Sequence, residues 1–452
     1  MTRKEIPIFD ANSTMFQNIG LLKVAETATR QHGDIVAIRV SDTRDLYIAG
    51  SPECFQYWRG HQGHFQTDLG DIASNQAITR MLLGDQLQDP RWSDVWVLTA
   101  NRMSAISKDF DSWLETALAD ATRTLINELP LDDTAADLRD ICRDWSIRAV
   151  CPAIFGSDLD VAEIAQGVAD VEGFYFAMST KDASETADHE NLPEFQAARS
   201  FLDKAITAAL KNSGPNDRNL IAQIATIIPD DVSDADRLNL LRPTVGHVIT
   251  EKLNIGGLSL LWTLVQLAQD PQLAADISAE CEGKDPLAMR DTDSPLALST
   301  VKEGLRLFPE LPFIYRITSE DVPIGDYVIP SGATVVFAPW LVQRDPRFWT
   351  DPKRFQGDRF LDEAQHRAHY FPFGVGARIR SRANFMLHQL ALASRAICAA
   401  RTVALSPDCP RGNIRPLLRS ALIPRGAVPA VFSSRAQSQA AVDERALADA
   451  SQ

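Results

Sequence analysis

Apolar residues along this chain change their spacing several times, and each change predicts a different element. Between Asp34 and Gly50, "DIVAIRV" and "LYIAG" flank "SDTRD", two short β-rich runs separated by turn residues, which predicts a hairpin. Further on, Ser112 to Leu129 and Pro193 to Lys211 space their apolar residues at three and four, as amphipathic helices do. "NIGGLSLLWTLVQLAQDPQL" predicts a long apolar helix ended by Asp-Pro, and a second β-rich block runs from Ile314 to Phe337 around the turn in "IPSGATVVF". Helical spacing returns from Asn384 to Ala400. The last twenty residues, "SSRAQSQAAVDERALADASQ", lack large apolar side chains and read as a disordered tail. The pattern predicts a mainly α fold with a small β region, one domain over 1–432 and a tail over 433–452.

Composition narrows the partners more than the function. The formal charge of −15 argues against nucleic acid and anionic membrane surfaces, which reward clustered Lys and Arg. No apolar run is long enough for a signal peptide or a membrane span, so a cytoplasmic location is expected. The cysteines Cys54, Cys142, Cys151, Cys281, Cys398 and Cys409 show no CxxC spacing, and read as small core residues in a reducing compartment. No metal site is expected from them.

Four separated stretches carry the chemical information. "EGLRLFP" places Glu303 and Arg306 three apart on one helical face, where a carboxylate and a guanidinium can pair. "RDPRFWTDPKRFQGDRF" supplies Arg359, and "FPFGVGARIRSRANF" follows it; the apolar helix ending in Asp-Pro lies upstream. In this order and spacing, the four resemble the haem-thiolate monooxygenases of the cytochrome P450 superfamily, over about Gly33 to Phe432. The resemblance implies a mainly α triangular prism in which Glu303, Arg306 and Arg359 form a buried structural network. It also implies that Arg316 in "IYRITSED" and Arg378 face haem propionates.

The chain departs from that family where the cofactor is handled. The family loop reads F-x-x-G-x-R-x-C-x-G; here Arg380 stands at the cysteine and Arg382 at the last glycine. A guanidinium has no lone pair to give a metal and stays protonated. His388 lies eight residues past Arg380, about 12 Å along a helix, and His369 precedes the loop, so neither replaces the ligand. The family's W-x-x-x-R appears as "WSDVW", with Trp92 kept and Trp96 at the arginine. Its oxygen-activating A-G-x-[DE]-T-T falls on "EKLNIG", which puts Glu251 at a small residue, Asn254 at the acid and Ile255 at the threonine. From these changes haem is expected to be absent.

Without haem, a pocket holding Arg316, Arg378, Arg380 and Arg382 beside Glu251 and Lys252 needs an anion or internal pairing. Three functions are weighed. The first is a non-redox cyclase or isomerase of small-molecule, possibly terpenoid, biosynthesis, acting on a hydrophobic substrate with an anionic head. Glu251 and Arg380 would be catalytic, and Arg316, Arg378, Arg382, Trp96, Asn254, Ile255, Phe174 and Phe176 would contact substrate; Mg2+ enters only with a diphosphate. The second is an inactive accessory protein that activates a partner enzyme such as a glycosyltransferase. The third is an atypical haem-binding oxidoreductase. "PDDVSD", with Asp230, Asp231 and Asp234, superficially resembles a diphosphate-metal motif but reads as a solvated cluster at a helix start. His247 reads as a core histidine.

Overall fold

The computed structural model describes residues 4–11, 13–41, 44–66, 81, 101–102, 105–131, 134–156, 160–180, 188–214, 216–229, 231–248, 255–309, 311–375, 379–419 and 421–435. The main helices are α1 (Ser13–His32), α2 (Pro52–Gly60), α3 (Ser107–Glu128), α4 (Leu138–Phe155), α5 (Val161–Thr180), α6 (Pro193–Asn212), α7 (Asp234–Val248), α8 (Ile255–Gln269), α9 (Pro271–Glu280), α10 (Pro295–Leu307) and α11 (Ile379–Ala400). The strands used below are β1 (Ile8–Asp10), β2 (Ile35–Ser41), β3 (Arg44–Ala49), β4 (Phe65–Gln66), β5 (Ile314–Thr318), β6 (Val322–Ile324), β7 (Tyr327–Ile329), β8 (Thr334–Phe337), β9 (Arg401–Leu405), β10 (Pro416–Leu418), β11 (Leu422–Pro424) and β12 (Pro429–Ser434). The fold is mainly helical with a small β region. The chain divides into two compact units, one of Met1–Leu69, Asp132–Ala135 and Ser259–Gln452, the other of Gly70–Leu131 and Ala136–Leu258.

The first unit is built on a six-stranded sheet in the order β1-β2-β3-β8-β5-β4. The hairpin expected from "DIVAIRV" and "LYIAG" is its β2–β3 pair, in register Ile35 to Ala49. Residues alternate between the two faces of a strand, so each strand feeds two cores. Ile35, Ala49, Val335 and Phe337 join Cys54, Phe55 and Trp58 of α2 on one face. Val36, Ile38, Ile48 and Val336 join Val24, Ala25 and Ala28 of α1 on the other. The strand β12 pairs with β9 from Ala430 through Ser434, two residues into the segment read as tail; 436–452 lie outside the described residues.

Helices α3 to α7 make the second unit. The amphipathic spacings at 112–129 and 193–211 become α3 and α6, and α3 packs on α4 while α6 packs on α5. A buried hydrogen bond crosses the first pair: Trp145 Nε1 donates to Thr122 Oγ1 at 3.0 Å, and that hydroxyl donates back to the Leu118 carbonyl at 2.8 Å. Gly257 runs so close to α4 that a Cβ there would meet the Cys142 carbonyl oxygen at 2.9 Å. Backbone cannot rotate away as a side chain can. Gly257→Ala is therefore expected to destabilise the protein by about 1 to 3 kcal/mol through overpacking, read as a lower urea midpoint with an unchanged m-value.

Candidate functional site

Two fully buried charges of opposite sign lie on α10. Glu303 and Arg306 are both fully buried, and Arg306 donates to the Glu303 carboxylate from Nε at 2.6 Å and from Nη2 at 2.8 Å. Arg359 Nε donates to both oxygens at 3.1 Å, and the Gln356 amide adds a bond at 3.0 Å. Arg306 continues to the carbonyls of Gln343 and Pro352, each at 2.7 Å, and of Arg354 at 3.2 Å. The Trp349 ring lies 5.0 Å from its guanidinium carbon. The three residues taken from separated motifs thus meet in one network of charge-assisted hydrogen bonds around Glu303.

Gln343 passes this order to the loop that opens "FPFGVG". Its amide nitrogen donates to the carbonyls of Leu305 and Arg306 at 3.2 and 2.9 Å, and its oxygen accepts the Phe371 amide at 2.7 Å. The loop turns through Gly374, whose φ of 76° favours glycine and whose amide donates to the Phe371 carbonyl at 3.0 Å. Phe371 then stacks on Phe55 of α2, with ring centroids 4.4 Å apart and planes 6° from parallel.

Beside that stack stands Arg316. It pairs across the sheet with Val335, two residues from Ile314, so the period-two alternation aims it at the same face. Its guanidinium lies 4.7 Å from the centroid of the Trp58 ring, and Nη1 donates to the Tyr315 carbonyl at 2.6 Å. Trp58 is itself stacked on Phe337 at 4.4 Å. Among the described residues no carboxylate pairs with Arg316, and burial pulls its pKa below the ordinary arginine value. A partly desolvated cation held by an aromatic face and lacking a counter-charge is a site for an acidic group. Trp58 was not singled out by sequence, because it lies in no motif.

The other expected site residues are less accessible to description. Trp96, Glu251, Asn254 and Arg378 lie outside the described residues, as do the side chains of Phe176, Ile255, Arg380 and Arg382. The backbone of Ile255 opens α8, and that of Arg380 and Arg382 lies in the first turns of α11. Phe174 is fully buried, edge-on to Phe195 at 5.5 Å, inside the helical unit. His388 is held by Asp291, 3.2 Å from Nδ1, and that carboxylate also receives Arg395 at 2.8 Å. Asp231 and Asp234 are exposed, while Asp230 lies outside the described residues.

Two predictions follow from the network and its neighbours. Glu303→Ala leaves Arg306 buried without a counter-charge, and should cost about 3 to 5 kcal/mol, read as loss of soluble protein or a large fall in the unfolding midpoint. His366 and His369 pack against Trp349 at 4.8 and 4.7 Å, and desolvation lowers the pKa of both, helped at His366 by Arg359 and at His369 by His366. A base whose folded pKa is lowered binds fewer protons folded than unfolded. Stability should therefore fall as pH drops below about 6.5, and His366→Gln with His369→Gln should flatten that slope in urea titrations.

The Cytochrome P450 family model matches residues 258–379. Among curated proteins, the chain is 34% identical over 147 residues to the steroid 17-alpha-hydroxylase/17,20 lyase of Gallus gallus, covering 30% of this chain and 29% of that protein. It is 29% identical over 174 residues to cytochrome P450 71B17 of Arabidopsis thaliana, covering 34% and 35%. The matched region thus spans about a third of the length of these relatives. Among solved structures, the retinoic acid-bound cyanobacterial CYP120A1 superposes with a TM-score of 0.75 at 15% identity, covering 95% of this chain and 100% of that one. The cytochrome P450DA heme domain superposes with a TM-score of 0.72 at 16% identity, covering 96% and 99%. These matches overturn the expectation that the cofactor is absent: the family and its structural neighbours are haem proteins, and they point to haem. Arg316, a half-buried cation without a carboxylate partner among the described residues, fits the acidic edge of that group. In fold, in the family-model match over residues 258–379 and in partial similarity to curated relatives, this chain resembles the cytochrome P450 superfamily.

Proposed function

We propose that this protein holds haem, takes a hydrophobic small molecule, and acts as an atypical oxidoreductase that lacks the cysteine thiolate of its family. The observation that carries the reading is Arg316, a cation desolvated against Trp58 and without an acidic partner among the described residues. An acidic propionate would supply the missing charge, and Arg378 would add a second contact by the family resemblance. Bound haem would bring redox chemistry at iron, with the protein setting its binding and orientation.

The chain's own residues argue against thiolate ligation. Arg380 stands at the ligand position and has no lone pair to offer. Five of the six cysteines are not poised to replace it: Cys54, Cys142, Cys151, Cys281 and Cys398 are buried, and burial raises the pKa of each, of Cys54 to about 11 and of Cys398 to about 12. The substrate class is supported by the proteins it resembles, whose names include a steroid hydroxylase and a retinoic acid-bound structure. The cyclase or isomerase reading depended on a cofactor-free pocket and is not carried forward. An accessory role beside a partner enzyme is the second reading, favoured by a Glu303 network that is intact while the ligand position is changed.

Haem titration of the purified protein tests this. Wild type should take up haem in a one-to-one ratio, and Arg316→Gln should weaken uptake by about tenfold, the worth of one charge-assisted contact. The reduced, carbon monoxide-treated spectrum should lack the thiolate signature, and Arg380→Cys should introduce it. A thiolate spectrum from wild type would defeat the ligand assignment. Failure of wild type to take up haem at all would defeat the oxidoreductase reading and favour the accessory role.

A further inference from the structure

A second chemical feature of the sheet-bearing unit lies toward its surface and does not depend on the haem reading. Helix α2 ends at Gly60, a short turn over Gln62–His64 follows, and Phe65 then pairs with Thr318 where β4 meets β5. The pairing continues past the strands: the Ser319 amide donates to the His64 carbonyl at 2.9 Å, and Ser319 Oγ donates to the Gly63 carbonyl at 3.0 Å. Glu320 is thereby brought beside Tyr57 and His64. Tyr57 Oη lies 3.1 Å from His64 Nδ1, and His64 Nε2 lies 3.1 Å from Glu320 Oε1.

This line of three groups has a direction. A carboxylate can only accept, so the imidazole nitrogen facing Glu320 carries a hydrogen; in the neutral ring Nδ1 is then the acceptor, and the phenol donates to it. Burial, with the Glu320 charge adding to it, raises the Tyr57 pKa, so the phenol keeps its proton at rest. Loss of the proton alone is opposed. Its loss together with an electron leaves a neutral oxygen and places the positive charge on His64, against Glu320.

The phenol ring also touches the aromatic core. His61 stacks on it at 4.2 Å with planes 15° apart, while Phe65 stands edge-on to it at 6.3 Å and to Trp58 at 6.5 Å. Trp58 has the Arg316 guanidinium 4.7 Å from its ring centroid. A cation so close opposes positive charge on the indole, so Tyr57 is the favoured one of the two rings for oxidation.

We propose that Tyr57 is a redox-active tyrosine, with His64 as its proton acceptor and Glu320 as the counter-charge for the imidazolium that results. The Tyr57 O–H bond breaks, its proton forms a bond at His64 Nδ1, and its electron passes to a one-electron outer-sphere oxidant. A neutral tyrosyl radical and an imidazolium paired with Glu320 remain, and return of the electron and the proton restores the phenol.

Flash photo-oxidation of the full chain by photogenerated ruthenium(III) tris-bipyridine, followed by optical absorption and electron paramagnetic resonance, tests this. Wild type should give a neutral tyrosyl radical, formed more slowly in deuterium oxide. Tyr57→Phe should remove most of that signal. His64→Phe should slow its formation by about a hundredfold, the low end of what a positioned proton acceptor contributes. Glu320→Gln, which keeps an acceptor for Nε2 but no charge, should slow it less. None of the three side chains is fully buried, so the variants should fold. The proposal is overturned if wild type gives no tyrosyl radical, if Tyr57→Phe gives as much as wild type, or if His64→Phe forms it as fast.

Discussion

The carboxylate of Glu303 is the fixed point of the sheet-bearing unit. It is fully buried, and a buried carboxylate persists only where donors surround it. Arg306, Arg359 and the Gln356 amide meet that demand, and the arginines then impose demands of their own. Arg306 takes carbonyls from Gln343, Pro352 and Arg354, which leaves the irregular segment between them one position against α10. Such a pair adds little net stability over apolar packing, so its effect on the fold is registration. Chain that forms neither helix nor strand acquires fixed geometry this way.

Registration is passed on by ordinary contacts. Gln343 is fully buried and divides its amide between α10 and Phe371, so the loop at Phe371 inherits its position from the network. Phe371 stacks on Phe55, and one turn further along α2 Trp58 stacks on Phe337 and faces Arg316. Arg316 is thus a charge placed by packing and without a carboxylate partner among the described residues. A guanidinium can occupy such a place because its flat faces tolerate an aromatic neighbour while its edge keeps its donors. The donors not used by the Tyr315 carbonyl are what a bound acid would find.

Much of this was legible in the sequence where a local period or a paired charge encoded it. The β2–β3 hairpin, the β block from Ile314 to Phe337 and the helices α3, α6 and α11 follow from spacing alone. Glu303 and Arg306 follow from an i, i+3 pair, and Arg359 from its motif. What spacing could not reveal depends on chain separation: nothing local links Trp58 to Arg316, or His64 to Glu320. Phe174 shows the opposite limit, because an aromatic run has the same look lining a pocket or filling a core, and here the ring packs on Phe195. Cofactor absence failed as an inference for another reason. Changing one ligand alters the iron coordination, whereas haem is also held by its acidic edge and by apolar contact, which ligand motifs do not report.

That distinction separates two kinds of residue in this chain. Glu303, Arg306, Gln343 and Phe371 act on the backbone, and their bonds are intact. By the sequence resemblance, Arg380 falls where the family's iron ligand is expected, and its charge is of the wrong kind for a ligand. A buried cysteine elsewhere cannot take over without moving, since the desolvation that seats Cys54 beside Ser51 also raises its pKa and keeps it a neutral thiol. A framework that stays registered while its ligand position changes can keep a shaped cavity and an anion-seeking arginine. On the proposed reading the thiolate-driven step would be lost independently of the fold, which is why fold and family resemblance do not by themselves assign this protein the reaction of its relatives.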